Sequence, residues 1–255
     1  MKKALLICTC FMLLLLACKK NNDNQSSDKK LIKSAVSTYP NGDQYVINYD
    51  YDNNNRLTSL QTRYTGTQFP PDDVDQTFFY DNEENLIKTV SIENGVKSVF
   101  TYTYDKGIPT MMTYQPSADN PRTVVDKLVV ENGLVVKTIS QTYPGSFNEY
   151  FYQNGNLIKS VSTDVSNNKP YIATGEYEYG DNKSANTGVG LKWKVFNYPS
   201  SSKNEIIKYT RKSPDENYSV LYKYTYDESG YPLTSDTPFG TDGHTITKYT
   251  YINYK

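Results

Sequence analysis

No cysteine follows Cys18 in this chain of 255 residues. The remainder therefore has no disulfide and no cysteine-held metal site. Histidine and tryptophan are equally scarce, with only His244 and Trp193. Any histidine-dependent triad would have to be built around His244, and no Gly-x-Ser-x-Gly elbow accompanies it. An excess of either charge is missing too. The formal net charge is −1, and loss of Lys2 and Lys3 would take it to −3 (25 basic minus 28 acidic). A nucleic-acid-binding protein would normally show a basic excess. Long apolar runs are absent except for Ala4 to Ala17, which is too short for a comfortable transmembrane helix.

That run follows the positive start Met1-Lys2-Lys3 and ends in Leu15-Leu16-Ala17-Cys18. The order resembles a bacterial lipoprotein leader, in which the cysteine is acylated and becomes the mature N-terminus. Residues 1–17 are read as the signal peptide, and Cys18 as the lipidation site. Each buried acyl methylene contributes about 0.8 kcal/mol, so several chains anchor the protein to a membrane. Lys19 to Lys30 contains no apolar residue. With Cys18 it reads as a flexible tether, 18–30, reaching about 20 Å.

What the chain has in abundance is tyrosine, 25 residues of it. In Tyr218 to Asp227 the tyrosines alternate with mostly polar residues, so one strand face is aromatic and the other wet. Asp227-Glu228-Ser229-Gly230 supplies turn chemistry. Copies stand at Tyr49-Asp-Tyr51-Asp, Phe79-Tyr80-Asp, Tyr102-Thr-Tyr104-Asp, Tyr150-Phe-Tyr152, Tyr177-Glu-Tyr179 and Tyr249-Thr-Tyr251. Val129-Val-Glu-Asn-Gly133 is a degenerate copy without tyrosine. The spacing is about 25 residues, with two gaps of about twice that, which predicts one β-hairpin per repeat. Asn94-Gly95 and Asn132-Gly133 are two-residue hairpin turns by the same logic. Gly180 to Gly190 reads as a loop of small residues.

Residues 31–255 thus predict a single all-β domain, an antiparallel up-and-down meander of about 16 strands. A sheet this wide tends to curl, split or close. A closed or strongly curled barrel leads, and a sandwich follows. The faces opposite the tyrosines carry Lys97, Thr101 and Thr103, or Glu176 and Glu178, or Lys223 and Thr225. Such faces belong in water, so a transmembrane barrel is not expected. The Leu15-Leu-Ala-Cys18 lipobox, the polar tether, the repeated Tyr-x-Tyr-Asp turns and the mature length together resemble a family of uncharacterised Gram-negative lipoproteins, a domain of unknown function with a porin-like fold. That resemblance implies a many-stranded barrel attached to the outer membrane. It implies no activity.

Candidate chemistry is sparse. His244 starts the last strand and reads as exposed. Asp50-Tyr-Asp52-Asn-Asn54 resembles the start of a calcium loop, but Asn55 and Gln61 stand where glycine and glutamate are needed. Asp72, Asp73 and Asp75 form an acidic loop. Glu176 and Glu178 share a face, yet a wet one where neither would be tuned for acid catalysis. Lys33, Lys88, Lys137, Lys159 and Lys208 each follow an apolar pair. Counting from Asn94-Gly95 sends Lys88 outward, whereas the same count from Asn154-Gly155 sends Lys159 opposite Tyr150. Trp193, in the alternating stretch Leu191 to Val195, is either a core residue or a ring that stacks on a sugar.

These features lead to a non-enzymatic, lipid-anchored envelope protein that binds or scaffolds, without a cofactor. Its partners would be the membrane, through the anchor, and a glycan, a peptide or an envelope protein. Surface capture of a glycan or peptide on the aromatic face, with Trp193 as ligand-binding residue, is the alternative. A hydrolase comes third. The outer membrane is the expected location, on either face.

Overall fold

A computed structural model describes residues 29–67, 73–117, 122–166, 169–189, 202–240 and 243–255. Its elements are all strands. The first nine are β1 (Lys30–Thr38), β2 (Gln44–Tyr51), β3 (Leu57–Thr65), β4 (Val74–Tyr80), β5 (Leu86–Glu93), β6 (Val96–Asp105), β7 (Ile108–Gln115), β8 (Val124–Glu131) and β9 (Leu134–Ser140). They continue as β10 (Phe147–Gln153), β11 (Asn156–Ser166), β12 (Lys169–Lys183), β13 (Asn204–Lys212), β14 (Asn217–Leu221), β15 (Lys223–Tyr226), β16 (Pro232–Phe239) and β17 (Gly243–Asn253).

Consecutive strands pair antiparallel, and β1 pairs with both β2 and β17. The meander therefore closes on itself as a barrel. Strands β14 and β15 are one continuous strand broken only at Tyr222, so the wall has the expected 16 staves. The lower piece, β15, pairs with β16, and the upper piece, β14, pairs with β13. No ladder joins β14 to β16, and there the wall stays open. β12 runs on to Lys183, so the loop expected from Gly180 begins only at Ser184.

One device repeats around the barrel. In seven consecutive-strand pairs, and in the β1–β17 closure, the register slips by one residue near the same end of the barrel, as between Asp50 and Tyr51 or Phe79 and Tyr80. The extra residue on the returning strand is Thr58, Ile87, Thr110, Val136, Ile158, Ile207 and Leu233 in turn, with Lys33 at the β1–β17 closure. A bulge bends its strand and ends regular pairing. The ladder to the next hairpin accordingly stops at the residue after the bulge: Ser59 with Thr77, Lys88 with Thr101, Lys159 with Glu176. Below that level the carbonyl of the residue just before the bulge has lost its neighbour.

A tyrosine hydroxyl takes the place of that neighbour. Tyr51 donates to Ile32 O at 2.8 Å, Tyr80 to Leu57 O at 2.8 Å, Tyr104 to Leu86 O at 2.7 Å, and Tyr152 to Val135 O at 3.3 Å. Tyr179 donates to Leu157 O at 2.7 Å, Tyr224 to Ile206 O at 3.0 Å, and Tyr251 to Pro232 O at 2.8 Å. Seven seams are closed in this way. The eighth position is Val130, in the degenerate repeat. In the seventh unit the sealing residue is Tyr224, two before the turn-flanking Tyr226 and three after Leu221, the last residue paired with β13.

The aspartate after the tyrosine serves the turn. Asp52 accepts from the backbone N–H of Asn54 and Arg56, Asp81 from Glu83 and Asn85, and Asp227 from Ser229 and Tyr231. Such Asx bonds fix the five-residue turns. Where the connection is two residues long, Asn94-Gly95, Asn132-Gly133 and Asn154-Gly155 place both residues at positive φ, as a twisted hairpin requires. The core lies at the turn-rich end, the one that carries the Asp52, Asp81 and Asp227 turns. Ile32, Ala35, Tyr49 and Leu57 pack with Ala185 on one side, and Leu86, Tyr102, Leu128 and Val135 on the other.

Candidate binding cup

Because the register fixes which side chains point inward, the inner face can be followed from end to end. At the turn-rich end it is filled. Tyr231, Leu31, Ile32 and Leu157 are almost wholly buried. Burial pushes the Tyr49, Tyr104, Tyr179 and Tyr249 phenols up to about 12, and raises those of Tyr51, Tyr80, Tyr152, Tyr224 and Tyr251 as well. The segment after β12 folds into this end, where Ala185 and Val189 join the first core cluster. A Cβ at Gly188 would stand 2.1 Å from the Lys30 carbonyl oxygen. Gly188→Ala therefore forces the segment away from β1, and a loss of about 1–3 kcal/mol is expected in urea unfolding.

One carboxyl sits in this filled end. Glu205 is 9% exposed and accepts the Ala185 N–H at 2.5 Å. Its other close neighbour is the Tyr224 hydroxyl. Desolvation pushes its pKa up to about 7, against the pull of those two hydrogen bonds. Sequence reasoning passed over this residue. The repeat carried no signal for it, since the position before Ile206 aligns with Leu31, Leu134 and Tyr231 but also with Arg56, Asn85 and Asn156.

The opposite end is open. Ser162 and Asp164 share the inward register with Ala173 and Tyr171, yet both are exposed. Tyr218, paired with the inward Arg211, is 44% exposed. Between the ends runs a belt of small inward residues, including Thr62, Thr89, Ser91, Thr138 and Ser235. The barrel is thus a cup, closed at one end by tyrosines and by the 184–189 segment and open to water at the other. Aromatic rings line its upper wall. Tyr177 stacks on Tyr209 at 5.1 Å, Tyr209 meets Tyr218 edge-on at 6.0 Å, and Phe100 stacks on Tyr114 at 4.5 Å.

The outer wall is polar. Glu178 pairs with Lys208 at 2.6 Å, Glu176 with Lys212 at 2.8 Å, and Lys137 with Glu149 at 3.0 Å. The Lys212 ammonium beside Glu176 holds its carboxyl below the ordinary value. Hydroxyl pairs such as Ser34–Thr250 and Thr225–Thr234, both 2.7 Å, fill positions between. Apolar residues are exposed among them, Phe79, Ile87, Phe151, Ile207, Leu221 and Leu233 near the level of the bulges and Ile92, Ile172 and Ile246 farther up. Charged residues at mid-wall would each cost about 2–4 kcal/mol in a bilayer.

Each candidate from the sequence has its place. Cys18, Trp193 and Asp72 lie outside the described residues. His244 is exposed and faces outward, with Nδ1 2.6 Å from Asp236. Asp52 is engaged by its own turn and by Arg56 at 2.7 Å, and Asp75 by Arg63 at 2.6 Å. Glu176 and Glu178 stand on the outer wall. The lysine row is outward too, and the bulge resolves the two conflicting counts. Ile158 is the extra residue, so Lys159 opposes Phe151, not Tyr150. Lys88 lies 4.3 Å from the Phe79 ring centre and Lys159 5.8 Å from that of Phe151.

No family model matches the chain, and no curated protein matches it. Solved structures do. A crystal structure of a porin-like protein from Bacteroides uniformis superposes with a TM-score of 0.58 at 14% identity, covering 89% of this chain and 99% of that one. A second porin-like protein, from Bacteroides vulgatus, gives 0.43 at 10% identity over 87% and 99%. The first similarity extends over nearly the whole of both chains. What it shares with this chain is the porin-like barrel fold.

Proposed function

We propose that this protein is a lipid-anchored, non-enzymatic envelope protein that holds a ligand in its cup and does not act as a membrane pore. The observation that carries this reading is the inversion of polarity. The outer wall is charged and hydrogen-bonded, while the inner face is aromatic and water-accessible at one end. Lys29 and Lys30 stand at the closed end, where Lys30 pairs with Asp227 at 2.6 Å. A tether from Cys18 would therefore leave from the closed end, and the mouth would face away from the membrane. Attachment to the outer membrane fits both the leader and the fold. Capture of a glycan or peptide is a narrower version of the same reading. It is favoured by the rings of Tyr209 and Tyr218 at the mouth.

The test joins anchor and cup. Cells fed an alkyne-bearing palmitate should label the wild-type protein and leave Cys18→Ala unlabelled. In the purified acylated protein, Ser162→Cys should react with a hydrophilic maleimide as fast as an exposed thiol. Label that persists in Cys18→Ala removes the anchor. A Ser162→Cys thiol that stays unreactive in folded protein means that the cup is filled.

A further inference from the structure

The 184–189 segment crosses the closed end of the cup from β13 towards β1. At its start, the Ser184 N–H and the Thr187 hydroxyl both donate to the Lys203 carbonyl. Between them the Ala185 N–H donates to the Glu205 carboxyl of β13. Farther on, Gly188 lies against the Lys30 carbonyl, and Val189 packs on the first core cluster.

At Glu205 the protons can be counted. The Tyr224 hydroxyl is within hydrogen-bond reach of the carboxyl, yet its single proton already goes to the Ile206 carbonyl at 3.0 Å. A neutral Glu205 completes this set. One of its oxygens accepts from Ala185, and its own proton goes to the Tyr224 oxygen. An ionised Glu205 has no proton to give. The carboxylate and the Ile206 carbonyl then compete for one hydroxyl proton, and one buried acceptor is left without a donor. The charge also goes uncompensated. Among the described residues, the titratable groups that face Glu205 are the phenols of Tyr179, Tyr224, Tyr226, Tyr249 and Tyr251. The 184–189 segment itself brings no titratable side chain. The lysines of this end are engaged elsewhere. Lys30 pairs with Asp227, Lys183 lies 4.5 Å from the Tyr231 ring centre, and Lys203 runs along Gly155.

We infer that Glu205 is a proton latch on the 184–189 segment, which seats across the closed end while the carboxyl is neutral and comes away when it ionises. Release lets water reach the carboxylate and leaves the Tyr224 proton with Ile206. The latch acts at the closed end and needs no ligand in the cup. Burial of the group, which pushes its pKa up to about 7, agrees with the proton count. The closed end is thus tight in mild acid and loose above neutrality. The coupling is reciprocal: whatever loosens the segment hydrates the carboxyl and lowers its pKa.

Hydrogen exchange of the full chain, corrected for the pH dependence of the exchange chemistry, tests the latch. The Ala185 amide should exchange through a local opening that barely responds to dilute urea, unlike the Leu128 amide in the second core cluster. Between pH 5 and pH 8 that opening should become about a hundredfold more frequent, as for a carboxyl whose pKa drops on release from about 7 to the ordinary 4.5. Glu205→Gln, whose amide both accepts from Ala185 and donates to Tyr224, should hold the opening constant over the same range. If that variant melts early, Gly188→Ala gives the converse reading. It forces the segment from β1, so the Glu205 midpoint, followed by carboxyl-carbon NMR, should fall towards 4.5. Ala185 exchange that shares the urea dependence of Leu128, or that does not change between pH 5 and pH 8, overturns the latch. So does a Glu205 midpoint that Gly188→Ala leaves in place.

Discussion

Tyr51→Phe, Tyr104→Phe and Tyr179→Phe combined should lower the stability of the barrel by about 3–6 kcal/mol. Each change removes only a hydroxyl, but that hydroxyl seals a carbonyl which the bulge has cut off from its ladder. A net hydrogen bond contributes about 1 kcal/mol, and a buried acceptor left unpaired costs about 1–3 kcal/mol. The three sites lie on different seams and share no partner, so their effects should add. The sum is a large part of the 5–15 kcal/mol typical of a folded domain. Urea unfolding followed by tyrosine fluorescence is the measurement. Tyr218→Phe, at the open mouth and away from the sealed carbonyls, is the control and should change stability by less than about 0.5 kcal/mol. A triple variant as stable as this control would mean that water seals the seams and the hydroxyls are incidental.

The second large effect belongs to Glu205 and is read against pH. Its folded-state pKa of about 7 lies above the ordinary carboxylate value of 4.5. Between these two values the unfolded chain releases the proton and the folded chain keeps it. Folding stability is therefore highest below pH 4.5 as far as this group is concerned. It falls as pH rises to about 7 and is flat beyond, a change of about 3 kcal/mol. In the protonated form the acid can donate to the Tyr224 oxygen while still accepting from Ala185. Glu205→Gln preserves the acceptor and removes the titration. The variant should show little pH dependence between about 5 and 7 and be the more stable protein at pH 8. Parallel melting curves of wild type and variant across this range would remove Glu205 from the account.

Much of the barrel was legible because its repeat is written in two complementary residue roles. Alternation fixed the strand type and the inner face, and Asn-Gly pairs fixed several turns. The count of about 16 strands followed from the spacing. The bulge was not legible. One inserted residue leaves composition and alternation nearly intact, yet it reverses the register, which is why Lys88 and Lys159 gave opposite answers. The job of the second tyrosine was hidden for the same reason. Its hydroxyl reaches a carbonyl some twenty residues back, across a seam that local pattern does not describe. In the cup, the polar outer wall could be foreseen from Glu176, Glu178 and Lys223. The inward Asp164 could not be singled out before the register was known, because it looks like an ordinary strand carboxylate. Glu205 was hidden because its place in the repeat takes polar and apolar residues alike, Arg56 and Asn85 as well as Leu31, and only the packing of Ala185 against it makes the site buried.

The pairing of β1 with β17 also has a kinetic side. Lys30 meets Asn253, so the last seam joins residues more than two hundred positions apart. Every other hairpin can form from neighbours in sequence, as soon as its own turn has emerged. Until β17 arrives the molecule is a curling ribbon with two bare edges, and bare edges pair with whatever strand is near. Closure is therefore the long-range step, slow by the usual relation between contact separation and rate. The molecule most exposed to misassembly is the one that lacks only its final strand. A chain that emerges from its N-terminus would keep the outer edge of β1 bare longest of all, with β2 covering the other.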